Sequence, residues 1–319
     1  MQELKKPLVV LAGPTAVGKT RLSIRLAKAL DGEIISADSM QVYRHLNIGS
    51  AKITREEMEN IPHHLIDALD PEDEFHVVRF QQMAKEALSG IYARGRIPIL
   101  TGGTGFYIQS VVRDIAFGEE NTGPNRYREE LERLSQEKDA LWLHRQLQAV
   151  DPEAARQIHP NNRKRILRAL EFYHDNKTPI STHNREQQEK ISPYICAYFV
   201  LTDDRARLYR RIEERVDQMM ADGLLEEVKG LKARGCTRDM VSMQGLGYRE
   251  LLAFLDGEYS LEEAAAKIKQ NTRHFAKRQL TWFKREKEKI WVSWEDFDYQ
   301  EEPMAEYMIN ICRERGICL

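Results

Sequence analysis

"LVVLAGPTAVGKTRLSIRLAKAL", residues 8–30, decides the fold. From Pro7 to Ala12 the chain is an apolar run, read as a buried parallel strand. Helical periodicity begins at Lys19 and lasts to Leu30, with Leu22, Leu26, Ala29 and Leu30 on one stripe. Between the two, "GPTAVGKT" (Gly13–Thr20) fits G-x-x-x-x-G-K-[ST] in full, in the strand-then-helix setting the pattern requires. Gly13 and Gly18 let the backbone turn tightly and aim its N–H groups inward, and Pro14, Thr15, Ala16 and Val17 complete the loop. Lys19 adds a point charge, Thr20 offers a hydroxyl to Mg²⁺, and the helix N-terminus adds its partial positive charge. Such a loop binds a di- or triphosphate. It does not say which bond then breaks.

Working outward, "EIISA" (Glu33–Ala37) reads as a second strand and "IPILT" (Ile97–Thr101) as a third. A helix carrying Met83, Ala87 and Ile91 precedes the third strand. This alternation predicts an α/β fold, a P-loop NTPase-like parallel sheet with crossover helices. Near residue 118 the pattern changes to helical periodicity with no convincing strand, lasting to about residue 190. "ICAYFVL" (Ile195–Leu201) is a strand again, Asp204–Arg234 one long amphipathic helix striped by Leu208, Ile212, Val216 and Met219, and "IWVSW" a last strand. Helices also run from Leu261 to Glu288. The expected organisation is a catalytic core, 1–118 and 193–319, interrupted by a helical insertion at 119–192.

Bulk properties narrow the class. The 48 Lys and Arg nearly balance the 50 Asp and Glu, which argues against indiscriminate coating of nucleic acid and leaves room for local basic patches. Cysteines at 196, 236, 312 and 318 show no metal-ligand spacing and no disulfide framework. The apolar stretch near the start is too short for a signal peptide, and no apolar run approaches the ~20 residues that cross a bilayer. The expectation is a cytoplasmic protein without a membrane partner, acting as a monomer.

Two further strand ends carry candidate chemistry. Asp38, in "ISADSMQVYR" (residues 35–44), follows the second strand, where α/β sheets place reactive groups. Three roles fit it: Mg²⁺ ligand, general base, or capping acid of a turn. Ser39, Gln41 and Tyr43 add hydrogen-bonding and stacking groups, and the Gln41 amide suits a purine edge. "TGGTGFY" (Thr101–Tyr107) ends the third strand; its glycines permit a ligand to approach the backbone, and equally a plain tight turn. Thr101 and Thr104 offer hydroxyls there.

Basic residues cluster twice. Arg156–Arg168 holds five with no acid, and Lys267–Lys289 holds nine against two acids, interleaved with Phe275, Trp282 and Phe283. Phosphate tracking with base stacking accounts for such runs, as does a solvated helix face. Arg211 and Arg215 share a helix face, either to clamp a polyphosphate or to pair with a carboxylate such as Glu214.

Taken together, "GPTAVGKT", "ISADSMQVYRHLNIGSAK", "HHLID", "GRIPILTGGTGFY", "VDPEAARQIHPNNRKRILRALE", "RIEERVDQM", "QGLGYRE" and "TRHFAKRQLTWF" resemble the tRNA dimethylallyltransferase family, in order and over nearly the whole chain. "TGPNRYREELE" departs from the family pattern, and without a Cys/His zinc-finger extension the resemblance is to the bacterial type.

The resemblance implies transfer of a five-carbon allyl group from dimethylallyl diphosphate to the exocyclic amine of the adenosine just 3′ of the anticodon. The substrates would be tRNAs reading codons that begin with U, and the tRNA partner surface the anticodon stem-loop. It implies Mg²⁺ as cofactor, and a channel between core and insertion that admits tRNA from one side and the diphosphate from the other. By the same resemblance Asp38, Thr104, Lys19 and Arg215 are catalytic, and Gly13–Thr20 with Arg215 holds the diphosphate. Asp38, Ser39, Met40, Gln41 and Thr104 then lie against a flipped-out base, while Asn161, Asn162, Arg163, Lys164, Arg165 and Arg278 touch tRNA. An adenine amine is a poor nucleophile whose proton needs a base, for which Asp38 is the candidate. The rivals are an adenylate isopentenyltransferase acting on free AMP, ADP or ATP, a P-loop nucleotide kinase, and a non-catalytic tRNA-binding protein. The first has little use for a helical insertion with its own basic run, and the last leaves the cradle and Asp38 without work.

Overall fold

The structure is a computed structural model that describes residues 5–117, 126–139 and 141–317. Its sheet has six strands: β1 (Lys6–Ala12), β2 (Gly32–Ala37), β3 (His63–His64), β4 (Ile97–Gly102), β5 (Tyr194–Thr202) and β6 (Ile290–Ser293). They run parallel in the order β3-β2-β4-β1-β5-β6. This is the expected α/β architecture, with one strand more than the sequence pattern shows: β3 is two residues long, too short for any periodicity.

The apolar runs are explained by burial on both faces. Along β1 the side chains alternate. Leu8, Val10 and Ala12 join one core cluster with Ile35, Leu100 and Tyr198. Val9 and Leu11 join the other with Ile34, Ile99 and Phe199. The helix Lys19–Ala29 packs on the second cluster through Leu22, Ile24, Leu26 and Ala27, whereas Ala29, placed on the stripe by periodicity, is exposed.

Another expectation fails at Asp204–Arg234, which is two helices, Arg205–Ala221 and Leu224–Ala233. Gly223 separates them in a left-handed conformation, φ +99°, which ends the first helix and opens the second. The late helix is also shorter than expected, Leu261–Phe283.

The chain divides into two compact units, 1–112 with 192–319, and 113–191. The expected boundary at residues 118 and 119 lies outside the described residues, as does the first part of "TGPNRYREELE". The second unit contains the helices Arg126–Glu137, Trp142–Val150, Pro152–Gln157, Arg163–Asn176 and Ile180–Glu189, and no strand among its described residues. Leu131, Leu143, Leu147, Ile166, Leu167 and Leu170 form its own core. Asp151, nearly fully buried, ties two of its helix starts together by accepting from Ala154 N–H at 2.9 Å and from Ser181 N–H at 2.9 Å.

Strand register positions the site. Ala12 pairs with Gly102 and with Val200, and Ala37 with Gly102, so these strands end at one edge of the sheet. The residues that follow, Gly13, Asp38 and Gly103, leave the sheet side by side at its carboxyl edge, where open α/β sheets bind ligands.

Candidate active site

The cradle closes as its motif requires. Gly13 (φ +149°) and Gly18 (φ +102°) take backbone conformations costly for other residues, and Ala16 joins them at φ +62°. A Cβ on Gly13 would sit 2.9 Å from the Leu201 carbonyl, and one on Gly18 2.8 Å from the Trp294 ring. Lys19 Nζ donates to the Gly13 and Pro14 carbonyls at 3.1 and 2.8 Å, curling over the loop. Burial brings the Lys19 ammonium down to about 7, the neighbouring Arg215 charge adds to this, and the Asp38 carboxylate opposes it. Those three groups therefore share one electrostatic environment.

A cavity of about 260 Å³ opens beside the cradle. Thr15, Asp38, Ser39, Met40, Thr104, Arg215 and Arg278, all assigned to the site by the resemblance, line it. Its apolar wall includes Ile212, Val216, Met219 and Phe275. Arg215 is half-buried and makes no ion pair among the described residues, so the pairing with Glu214 is not made. Burial lowers its pKa, the Arg211 charge adds to that, and Glu57 opposes it. A guanidinium in a cavity without an ion-pair partner has donors to spare for an anion. Arg211 instead lies 3.8 Å from Asp203 and beside Gly18.

Of its three candidate roles, Asp38 takes up that of the capping acid. Oδ1 accepts the N–H groups of Met40 at 2.8 Å and Gln41 at 3.3 Å, the capping turn of an acid after a strand. Oδ2 takes no hydrogen bond among the described residues, and the side chain lines the cavity. The turn thus fixes the carboxylate and leaves Oδ2 without a hydrogen bond among the described residues.

Gln41 and Thr101 are engaged away from the cavity. Gln41 does not line the cavity; its amide is engaged, Oε1 accepting from Ser36 Oγ at 3.1 Å and Nε2 donating to the Ser50 and Ala51 carbonyls at 3.3 Å. Thr101 donates to the Leu11 carbonyl at 3.1 Å inside the sheet, and Thr104 is the threonine that reaches the cavity. Of the aromatics in the late basic run, Phe283 belongs to the core, so only part of that run can stack a base. Lys269 and Arg273 pair with Asp217 and Glu213 on the neighbouring helix. Asn161, Asn162, Arg163, Lys164 and Arg165 lie in the other unit, all exposed, where Asn162 caps the helix Arg163–Asn176 by accepting from Arg165 N–H.

Some of the supporting residues carry no local signal. Gln279 bridges the cradle to the loop after β4: Oε1 accepts the Thr15 N–H at 2.9 Å and Nε2 donates to the Gly103 carbonyl at 3.0 Å. Trp294 donates Nε1–H to the Val17 carbonyl at 2.6 Å. Both stand in stretches read as a basic run or a strand, and only long-range contact reveals them.

The donors present bear on metal binding. Among the described residues no three His, Cys, Asp or Glu side chains gather into a cage. Mg²⁺ bound mainly through substrate phosphates and water needs only one or two protein oxygens. Thr20, exposed in the first turn of its helix with no partner for its hydroxyl among the described residues, fits that requirement.

The IPP transferase family model matches residues 41–286. The chain belongs to the IPP transferase family. This family member is 55% identical over 312 residues to the tRNA dimethylallyltransferase of Lachnoclostridium phytofermentans, covering 98% of this chain and 99% of the relative. The crystal structure of the full-length tRNA isopentenylpyrophosphate transferase from Bacillus halodurans superposes with a TM-score of 0.73 at 43% identity, covering 98% of each chain. A eukaryotic dimethylallyltransferase acting on tRNA superposes with a TM-score of 0.76 at 32% identity, covering 87% of this chain and 69% of that one. No helix among the described residues is long and apolar enough to cross a membrane.

Proposed function

We propose that this IPP transferase moves a dimethylallyl group from dimethylallyl diphosphate to the N6 amine of the adenosine 3′ to the anticodon. The products are N6-isopentenyladenosine in tRNAs reading codons that begin with U, and diphosphate. The observation that carries the reading is one cavity lined both by Asp38, a carboxylate with an oxygen to spare, and by Arg215, a guanidinium with no ion pair among the described residues. Membership in the family and the activities for which its relatives are named support it.

In this reading the cradle (Gly13–Thr20), Lys19 and Arg215 take up negative charge as it develops on the departing diphosphate. Thr20 is the residue that would hold Mg²⁺, which supplies further neutralisation of that charge when bound. The adenine must leave its stack to reach the cavity, at a cost of a few kcal/mol. Asp38 Oδ2 then accepts the amine proton as the N–C bond forms and the C–O bond to diphosphate breaks. Thr104 borders the same space, and Ser39, Met40 and Arg278 provide its remaining contacts to the nucleotide. Asn161–Arg165 would track tRNA phosphates. The tRNA substrate supports a cytoplasmic site of action.

The test is transfer from labelled dimethylallyl diphosphate, offered separately to unmodified tRNA and to AMP. Label in tRNA alone, at the adenosine beside the anticodon, is the expected result. Label in AMP but not tRNA would replace this reading with an adenylate isopentenyltransferase.

A further inference from the structure

We infer that Glu227 is a positioning residue for the transfer, locking two walls of the cavity together from behind. The inference rests on the proposed function. Glu227 belongs to the helix Leu224–Ala233 and does not line the cavity. Its Oε2 accepts the N–H groups of Asn47 and Ile48, each at 2.9 Å. Oε1 accepts the Gly49 N–H at 3.2 Å and the Tyr248 hydroxyl at 2.7 Å. One carboxylate thus collects three consecutive backbone donors and a phenol, all charge-assisted bonds.

Each partner leads to the cavity. Gly49, Ser50 and Ala51 line one side, and Gly245 to Gly247 line another, next to Tyr248 in sequence. Tyr248 is fully buried, and a Cβ on Gly49 would meet its ring at 2.6 Å, so ring and loop are in close contact. From Ser50 and Ala51 the connection continues through the Gln41 side-chain amide, and the backbone N–H of the same residue reaches Asp38 Oδ1 at 3.3 Å. Glu227 therefore anchors the far end of the segment that carries the candidate base. A glutamine in its place has one oxygen for four donors and turns an NH₂ group toward them. The Asn47–Gly49 segment must then shift, and Asp38 and the base-binding wall shift with it.

The experiment uses the full chain, unmodified tRNA and labelled dimethylallyl diphosphate, with active sites counted by calorimetric titration with inorganic pyrophosphate. Glu227→Gln is expected to lower kcat per titrated site roughly 10- to 100-fold, the cost of misplacing reacting groups by about an ångström. Its KM for the donor should stay within about twofold, because the cradle is untouched. Tyr248→Phe, which removes one donor and keeps the ring, should lower kcat a few fold, and the double variant should be no worse than Glu227→Gln alone. A purely structural role would reduce the number of titrated sites and leave kcat per site at the wild-type value, overturning the inference. Should Glu227→Gln fail to fold, Tyr248→Phe decides alone: a lowered kcat supports the inference and an unchanged one overturns it. A wild-type chain that leaves tRNA unmodified is a different result, directed against the proposed function.

Discussion

The Gln279 side-chain amide holds the Thr15 N–H at 2.9 Å, joining the middle of the phosphate loop to a helix that begins far downstream. Its other end donates to the Gly103 carbonyl at 3.0 Å, so one buried amide sets the spacing between the loops after β1 and β4. Gln279→Leu leaves a donor and an acceptor without partners. It should cost about 1–3 kcal/mol for each buried group left unsatisfied. Urea unfolding checks the stability, and calorimetry with pyrophosphate should show weakened binding, because the Thr15 loop loses its tether. Unchanged values in both measurements would mean that water replaces the amide without cost.

Glu33 provides a stability test at the opposite edge of the sheet. Nearly fully buried, it accepts from Arg94 Nε at 2.8 Å and Nη2 at 2.7 Å, and lies 2.7 Å from His64 Nε2. The Arg94 guanidinium holds its carboxyl down at about 2, against the upward push of burial, and His64 adds to the lowering. A carboxylate lowered in the fold stabilises fully above its ordinary value of 4.5, and that stabilisation disappears as pH falls from there toward about 2. Glu33→Gln should therefore be less stable than wild type at pH 7, and the gap should narrow below about pH 4.5. Urea midpoints of the two proteins at several pH values measure it; a gap independent of pH would contradict the assignment.

The exposed run Arg163, Lys164 and Arg165 opens a helix, where the backbone adds its own positive end. Arg163 donates to Ser135 Oγ, while Lys164 and Arg165 make no ion pair among the described residues. Replacing all three with alanine should weaken tRNA binding and flatten its dependence on salt. The slope of log K against log salt should fall by about two to three, close to one for every phosphate that is no longer neutralised. Binding measured across a salt series decides this, and an unaltered slope would reduce the run to a solvated helix end.

The longer strands were legible because burial leaves little but apolar residues, as in β1 from Leu8 to Ala12. The break at Gly223 was not, since a single glycine inside an amphipathic pattern is tolerated often enough that periodicity runs through it. At the site, Lys19 was readable from the loop motif between strand and helix, and Asp38 because it follows a strand end. Gln279 was not: its partner Thr15 is 264 positions away, and nothing in a local window encodes that pairing. Gln41 shows the converse limit. Its chemistry suits a purine, yet whether an amide faces a ligand or the Ser50 and Ala51 carbonyls is decided by tertiary structure.

Asp38 offers the sharpest test, because its two oxygens have separable work. Oδ1 caps the turn through the Met40 and Gln41 N–H groups, and Oδ2 is the proposed proton acceptor. Alanine removes both functions and confounds them. Asparagine keeps an acceptor for the turn and loses the basic oxygen. Asp38→Asn should therefore fold and bind pyrophosphate as wild type does, while kcat for prenyl transfer to tRNA falls by at least ~10²-fold, the usual contribution of a general base. Asp38→Ala should add a structural loss, seen as a lower unfolding midpoint than that of the asparagine variant. If instead asparagine supports full turnover, the amine proton leaves by another route, and the carboxylate's purpose is the turn alone.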